Sequence, residues 1–504
     1  MDTSGKGRQI AAAALYACLA GLLAALTALS HGPCAPVWRL VAIAVAAHVP
    51  FAAILVLASR GWAPRVLVVV CAAAALRLVL VFGHPVFSDD VYRYSWDGRV
   101  VAAGLDPYAH PPSAGGLGAL RFAELDHINN PDLRTIYPPL AELVFGAIAS
   151  LWPAVSAFQI AAALADIGIV MLVMAIARRG RREDRRAETI AGLAYGLNPL
   201  ACIETAMSGH LEPLAVLPVL GAVALLGRSW NSRRTTAVAR VAAAVALAVG
   251  CCIKLVPVLL LAPAARHLRA ATLIVPAAVI GLYVAFWSPD LGAVRTLDTF
   301  ARRWEGNAGG FALIKAASEQ VIAVATGAAR PDDMVHVRFL DRPARALEGG
   351  FFSLHKDGGF DPERPGAFAR ADLALAAAKL VAAVVLATVI ALVCRRRAGL
   401  SSAALWVFGA LVLLTPVLHP WYLLWVLPWA ACRKGWPWLA FGAALPLAYL
   451  PLDGWWERGA WDAPAWIPIV EYGVLSAAAL LYYFIERRKG TLLTDKGDRS
   501  RNSQ

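Results

Sequence analysis

The chain has 504 residues, 59% of them hydrophobic, with a mean hydropathy of +0.60 and a formal net charge of +13. A soluble domain keeps its apolar share near half, so this composition excludes an ordinary soluble enzyme and requires a bilayer as solvent. The positive charge does not point to nucleic acid. The arginines flank apolar runs, as at Arg178, Arg179, Arg181, Arg182, Arg185 and Arg186, instead of lining one face, and such clusters set membrane topology.

Along the chain, apolar runs at Ile10 to Ser30, Val37 to Ser59, Pro64 to Gly83, Ala371 to Cys394 and Pro464 to Ile485 are each long enough to cross a hydrocarbon core of roughly 30 Å as helices. The expected fold is all-α: a polytopic helical bundle of about 12 to 14 spans, with short interfacial helices in its external loops. The first run is long, follows a weakly basic start and is trailed at once by a second span, so it reads as retained and not as a cleaved signal. Of the eight cysteines, seven lie in or beside apolar runs and Cys34 lies in a loop, with no CxxC or Cys/His spacing. They read as small core residues.

With Lys6 and Arg8 in the cytoplasm, three crossings bring the chain outside near Gly83, making residues 84–136 the first extracytoplasmic loop. The arginine clusters at 178–186, 228–240, 266–269 and 395–397, with Arg433 and Lys434, fall inside, and residues 288–370 form a long external stretch. Residues 1–485 read as one transmembrane domain, followed by a polar cytoplasmic tail at 486–504. Both termini then face the cytosol, as expected of a multi-pass protein of the cytoplasmic membrane. Tyr137 to Trp152 reads as a short or re-entrant helix, and Ala237 to Ala265 as one long span or a hairpin with Lys254 near its tip.

The first external loop opens Phe87-Ser88-Asp89-Asp90-Val91-Tyr92-Arg93-Tyr94-Ser95-Trp96-Asp97, which reads as an interfacial helix with Ser88 at its N-cap. Helical spacing places Val91, Tyr94 and Gly98 on one stripe and Asp90, Arg93 and Asp97 on the next. Adjacent carboxylates at the mouth of a span repel one another, which raises the proton affinity of at least one and suits Asp89 and Asp90 to general-base work. The plain alternative is that both only offset the helix dipole. The cation, acids and aromatic rings of Arg93, Tyr94, Trp96 and Asp97 match sugar and phosphate handling better than capping alone.

Further on stand Tyr137-Pro138-Pro139-Leu140, Asn198-Pro199-Leu200, His210-Leu211-Glu212, Lys254-Leu255-Val256-Pro257 and His419-Pro420-Trp421-Tyr422. Together with the acidic loop, these segments resemble the GT-C superfamily of polytopic membrane glycosyltransferases. Within it they are similar to bacterial polyprenyl-phosphate-mannose-dependent mannosyltransferases, and the resemblance extends discontinuously over most of the membrane region. The resemblance implies a lipid-linked sugar donor, a lipid or glycan acceptor, a base in the first loop, here Asp89 with Asp90 beside it, and a mannosyl group transferred without a metal. Related sequences often show His-Asn-Asp where this chain has His210-Leu211-Glu212, so the middle amide is missing.

Each remaining candidate has two readings. His419, Trp421 and Tyr422 belong either to a site or to an aromatic membrane belt. Lys254 either binds a polyprenyl phosphate or snorkels to an interface, and Arg93 is the other phosphate candidate, with bidentate geometry. Tyr137, His210 and Glu212 complete the substrate-binding set. Glu204 and Asp166 rank lower, as possible structural groups within the bundle. Arg302-Arg303-Trp304-Glu305-Gly306-Asn307 could contact either substrate. Asp89 and Asp90 lack a third clustered carboxylate, so no cofactor or metal is expected, and the absence of a glycine-rich phosphate loop argues against a nucleotide-sugar donor. The leading alternative is a transporter or flippase of a lipid-linked glycan, which the lack of an internal repeat and the external position of the acid pair disfavour.

Overall fold

The computed structural model describes residues 3–32, 35–180, 185–227, 236–286, 296–300, 304–341, 364 and 366–488. These residues form an all-α, multi-pass membrane fold whose only sheet is a two-stranded antiparallel pair, Met334–His336 with Ala367–Ala369. The first helices are α1 (Thr3–Ser30), α2 (Val37–Ala46), α3 (His48–Ser59) and α4 (Val66–Val81). α2 and α3 share one apolar run, and the break at Ala47 follows from Pro50, which has no N–H to give the carbonyl one turn back.

Six helical stretches are long and apolar enough to cross a bilayer: Lys6–Ser30, Val37–Ser59, Val155–Arg179, Val256–Ala285, Arg370–Arg395 and Trp466–Arg488. A seventh is added if the bent pair Pro199–Met207 and Glu212–Gly227 counts as one span, and four shorter apolar helices accompany them. The count among the described residues is thus below the dozen or more that the apolar runs suggest. Proline is one physical reason. Between His419 and Leu450, Pro420, Pro428, Pro437 and Pro446 cut one apolar region into the pieces Pro420–Trp425, Leu427–Arg433, Trp436–Ala444 and Leu445–Tyr449. Exposed Leu67, Leu78, Leu273, Ile280, Leu380 and Leu480 present the apolar exterior that lipid requires.

The acidic segment becomes α5 (Asp90–Ala102), and Tyr137 to Trp152 becomes the short α6 (Pro139–Leu151), packed along it. Their approach is close because of two glycines. A Cβ on Gly98 would lie 2.5 Å from the Phe145 carbonyl oxygen, and one on Gly146 would lie 2.4 Å from Val101. Backbone cannot yield as a side-chain tip can, so Gly98→Val is expected to separate the helices and destabilise the protein by about 1–3 kcal/mol, read as a lowered unfolding temperature in detergent.

Beyond α6 run α7 (Val155–Gly180), α8 (Arg185–Gly196) and α9 (Pro199–Cys202), which continues as a π-helical turn, Ile203–Met207. In this part of the bundle Arg77 of α4 pairs with Asp166 of α7 at 2.5 Å, and its Nη1 donates to the carbonyls of Ala73 and Gly196. Thr205 and Tyr195 also donate to Asp166. Asp166 is therefore a structural group whose partners are Arg77, Tyr195 and Thr205.

Next come α10 (Glu212–Gly227) and α11 (Ala237–Ile253). The helix stops at Lys254, which is extended at φ −149° and ψ 131°, and the following segment packs back on α11 through α12 (Leu261–Leu268) and α13 (Ile274–Ala285). Of the two readings of this region, the hairpin is the one found. The stretch expected as a long loop contains a helix, Gly310–Thr326, lying beside Arg370–Arg395 with Phe311, Leu375, Ala378 and Ala382 buried between them. Most of its remainder, Cys34, Arg302, Arg303 and the tail from 489 lie outside the described residues.

Candidate active site

The chain leaves α4 through Gly83, and Phe87 is buried in a stack on Tyr449 with ring centroids 4.7 Å apart. Helix α5 begins one residue later than expected: Asp89 occupies the N-cap without a side-chain cap bond, while the Ser88 hydroxyl accepts from the Asp90 amide at 3.3 Å. The two carboxylates therefore diverge. Asp89 is 8% exposed, and its Oδ1 accepts from Asn129 Nδ2 at 2.7 Å. Asp90 keeps 28% of its side chain open, accepts from the Tyr94 hydroxyl at 3.4 Å, and stands 3.7 Å from His210 Nδ1.

Burial, reinforced by the charge on Asp90, pushes the Asp89 carboxyl up to about 7. Burial also raises Asp90 above the ordinary carboxylate range, against the opposing pull of His210 and Lys254.

His210 reaches Asp90 because of the turn that carries it. The Asn198 side chain caps α9 and Pro199 starts it, the π-helical turn follows, and Gly209 then takes a left-handed φ of +69°. Glycine is required there by conformation and by space, since a Cβ would sit 3.1 Å from both Gln159 and Val91. Gln159 Nε2 donates to the carbonyls of Gly83 and Met207 at 3.0 and 2.6 Å, tying the start of the acidic loop to the π turn.

Fully buried, the His210 ring has Asp90 on its Nδ1 side and Glu204 Oε2 3.3 Å from Nε2. It stacks on Trp421 at 4.1 Å, and Trp421 stacks on His419 at 4.2 Å. Burial, and secondarily the charges of His210 and Lys254, push the His419 imidazole down to about 3. Glu212, at the head of α10, is paired with Lys254, whose ammonium also lies 5.7 Å from the Tyr422 ring centroid. Lys254 is thus a cation paired with an acid, one of the partners expected of a cation in an apolar segment.

The structure thus brings Asp90, Tyr94, His210, Glu212, Lys254, His419, Trp421 and Tyr422 together, with Asp89 beside them and Tyr137 edge-on to Tyr94 at 5.1 Å. Arg93, Trp96 and Asp97 turn elsewhere. Arg93 Nε donates to both oxygens of Asp97 at 3.0 and 2.9 Å and its Nη1 to the Leu133 carbonyl, and Trp96 packs on Val100, Leu125 and Ile128. These three hold the loop. From the long stretch, Gly306 bridges to Val417, which places Trp304 to Asn307 against the segment leading to His419.

Sequence reasoning did not single out Asn129 or Tyr449, and Glu204, read as a structural hydrogen-bonding group, stands beside His210. Tyr449 donates to Glu204 Oε1 at 2.7 Å, a contact between residues far apart in the chain with no local signal.

Residues 23–270 match the family described as alpha-(1->6)-mannopyranosyltransferase, N-terminal domain. Over these residues, close to half of its length, the chain is similar to that family. The protein is accordingly a glycosyltransferase of a mannosyltransferase family, held in the membrane by several spans. The matched stretch includes Asp89, Asp90, Glu204, His210, Glu212 and Lys254 and stops before the His419 segment. No curated protein and no solved structure matches the chain.

Proposed function

We propose that this mannosyltransferase-family enzyme takes its sugar, mannose by kinship, from a polyprenyl-phosphate donor. It places the sugar on a hydroxyl of a lipid or glycan acceptor at the extracytoplasmic face. The observation that carries the reading is the convergence of a raised carboxylate pair, a buried histidine and a membrane-embedded cation at one place. The acceptor hydroxyl gives its proton to a carboxylate as its oxygen bonds to the anomeric carbon. The carbon–phosphate oxygen bond breaks, and the polyprenyl phosphate leaves with the electron pair.

The sequence favoured Asp89 as base, and the geometry favours Asp90. Asp90 is the more open of the two and faces the cluster, whereas Asp89 is buried against Asn129. Lys254 suits the leaving phosphate, because an ammonium has three N–H donors and its pairing with Glu212 uses only part of them. Arg93 is already engaged by Asp97 and Leu133. No step of this scheme uses a cofactor.

Incubating the purified protein with radiolabelled polyprenyl-phosphate-mannose and a membrane lipid extract tests the proposal. Release of polyprenyl phosphate with label in a new product is expected, whereas movement of intact donor between leaflets would identify a flippase. The pH dependence gives a second test. The base works ionised, so kcat/KM should rise with pH, and because burial raises Asp90 its acid limb should lie above about 4, where an unperturbed carboxylate titrates. A limb at the ordinary carboxylate position in the native protein would remove the pair from the base role.

A further inference from the structure

His210 poses a problem that the transfer step alone does not explain. It is fully buried, and neither ring nitrogen has a well-aligned hydrogen bond, although carboxylates stand at 3.7 and 3.3 Å on its two sides. Glu204 Oε2 and Ser208 Oγ, both buried next to it in the chain turn, are also without hydrogen bonds. Buried polar atoms left in this condition are costly and require a reason.

A neutral imidazole has one N–H and can serve one carboxylate, whereas an imidazolium has two and serves both. Its charge also gains from the indole face of Trp421. The pocket is therefore complementary to the protonated ring. The charged and titratable groups around the ring are Asp89 and Asp90 at the start of α5, Glu204 on the π turn, Glu212 and Lys254 as a pair, and His419 beyond Trp421.

We infer that His210 is a second proton station behind Asp90, and that Glu204 is a positioning residue acting through it. Glu204 holds the tautomer with hydrogen on Nε2, which leaves the Nδ1 lone pair aimed at Asp90. The proton taken from the acceptor hydroxyl passes from Asp90 to Nδ1, returning Asp90 to its ionised form, and the imidazolium is held between the two carboxylates. It leaves again by way of Asp90, so one proton is released per sugar transferred. Tyr449 keeps Glu204 in place by donating to Oε1, and Phe87, stacked on Tyr449, couples that residue to the start of the acidic loop.

This inference rests on the transferase reading, and the test separates the two. Full-length protein in lipid vesicles, labelled with 15N-histidine and assigned with His210→Gln, is examined by NMR without donor. The native ring is expected as the Nε2–H tautomer when neutral, and Glu204→Gln is expected to mix the tautomers. With polyprenyl-phosphate-mannose and membrane lipid extract, Glu204→Gln should lower kcat about 10- to 100-fold at unchanged KM, the size seen when a group that orients a histidine is lost. Glu204→Asp should restore part of it.

Native-like tautomer and kcat in Glu204→Gln would overturn the proposal. So would equal losses in the Gln and Asp variants with the tautomer unchanged, which would make Glu204 merely structural. If the native protein keeps the tautomer but releases no polyprenyl phosphate, the transferase reading fails and the relay fails with it, whereas transfer with an Nδ1–H ring sinks the relay alone.

Discussion

Asp90→Asn is expected to lower transfer by about 10²- to 10⁴-fold, the usual contribution of a positioned general base, with KM for the donor little changed. Asparagine keeps the shape and the contact from Tyr94 but cannot take the acceptor's proton. Asp89→Asn should cost less, because Asp89 is buried and is held by Asn129. Single-turnover release of polyprenyl phosphate from both variants measures the difference. An Asp90→Asn enzyme close to the native rate, with Asp89→Asn inactive, would return the base role to Asp89.

Lys254→Met is expected to be more damaging to the fold than its partial exposure suggests. Its removal strands Glu212, which is fully buried, as an uncompensated carboxylate, and breaking a buried pair from one side costs about 3–5 kcal/mol. The double variant Lys254→Met with Glu212→Gln removes both charges and should recover most of that stability. It should not recover transfer, because the leaving phosphate still lacks its cation. Unfolding in detergent, set beside turnover, separates the two effects. If single and double variants unfold alike, the ion pair contributes nothing to the fold and Lys254 is an interfacial side chain.

The architecture was readable because bilayer physics leaves so few solutions: the runs at Ile10, Val37, Pro64, Ala371 and Pro464 all became helices. The acid pair could be singled out as a candidate, since two adjacent carboxylates beside a span are costly to dehydrate. The direction each carboxylate takes was hidden, because it follows from α5 beginning at Asp90 and not one residue earlier. Arg93 and Asp97 looked like substrate groups by type. Their role was decided by an i to i+4 pairing and by the Leu133 carbonyl, which only the folded loop supplies. Tyr449 and its contact with Glu204 were out of reach for the same reason, as was the stacking of His210, Trp421 and His419.

The π-helical turn at Ile203–Met207 makes the placement of His210 a matter of counting. A π turn holds one residue more than the α turn it replaces, and each residue rotates the chain by about 100°. Side chains such as Ala206 can change within limits set by local volume, but adding or deleting one residue between Asn198 and Gly209 would swing the imidazole away from Asp90 altogether. This short segment should therefore accept many point replacements while rejecting every change of length.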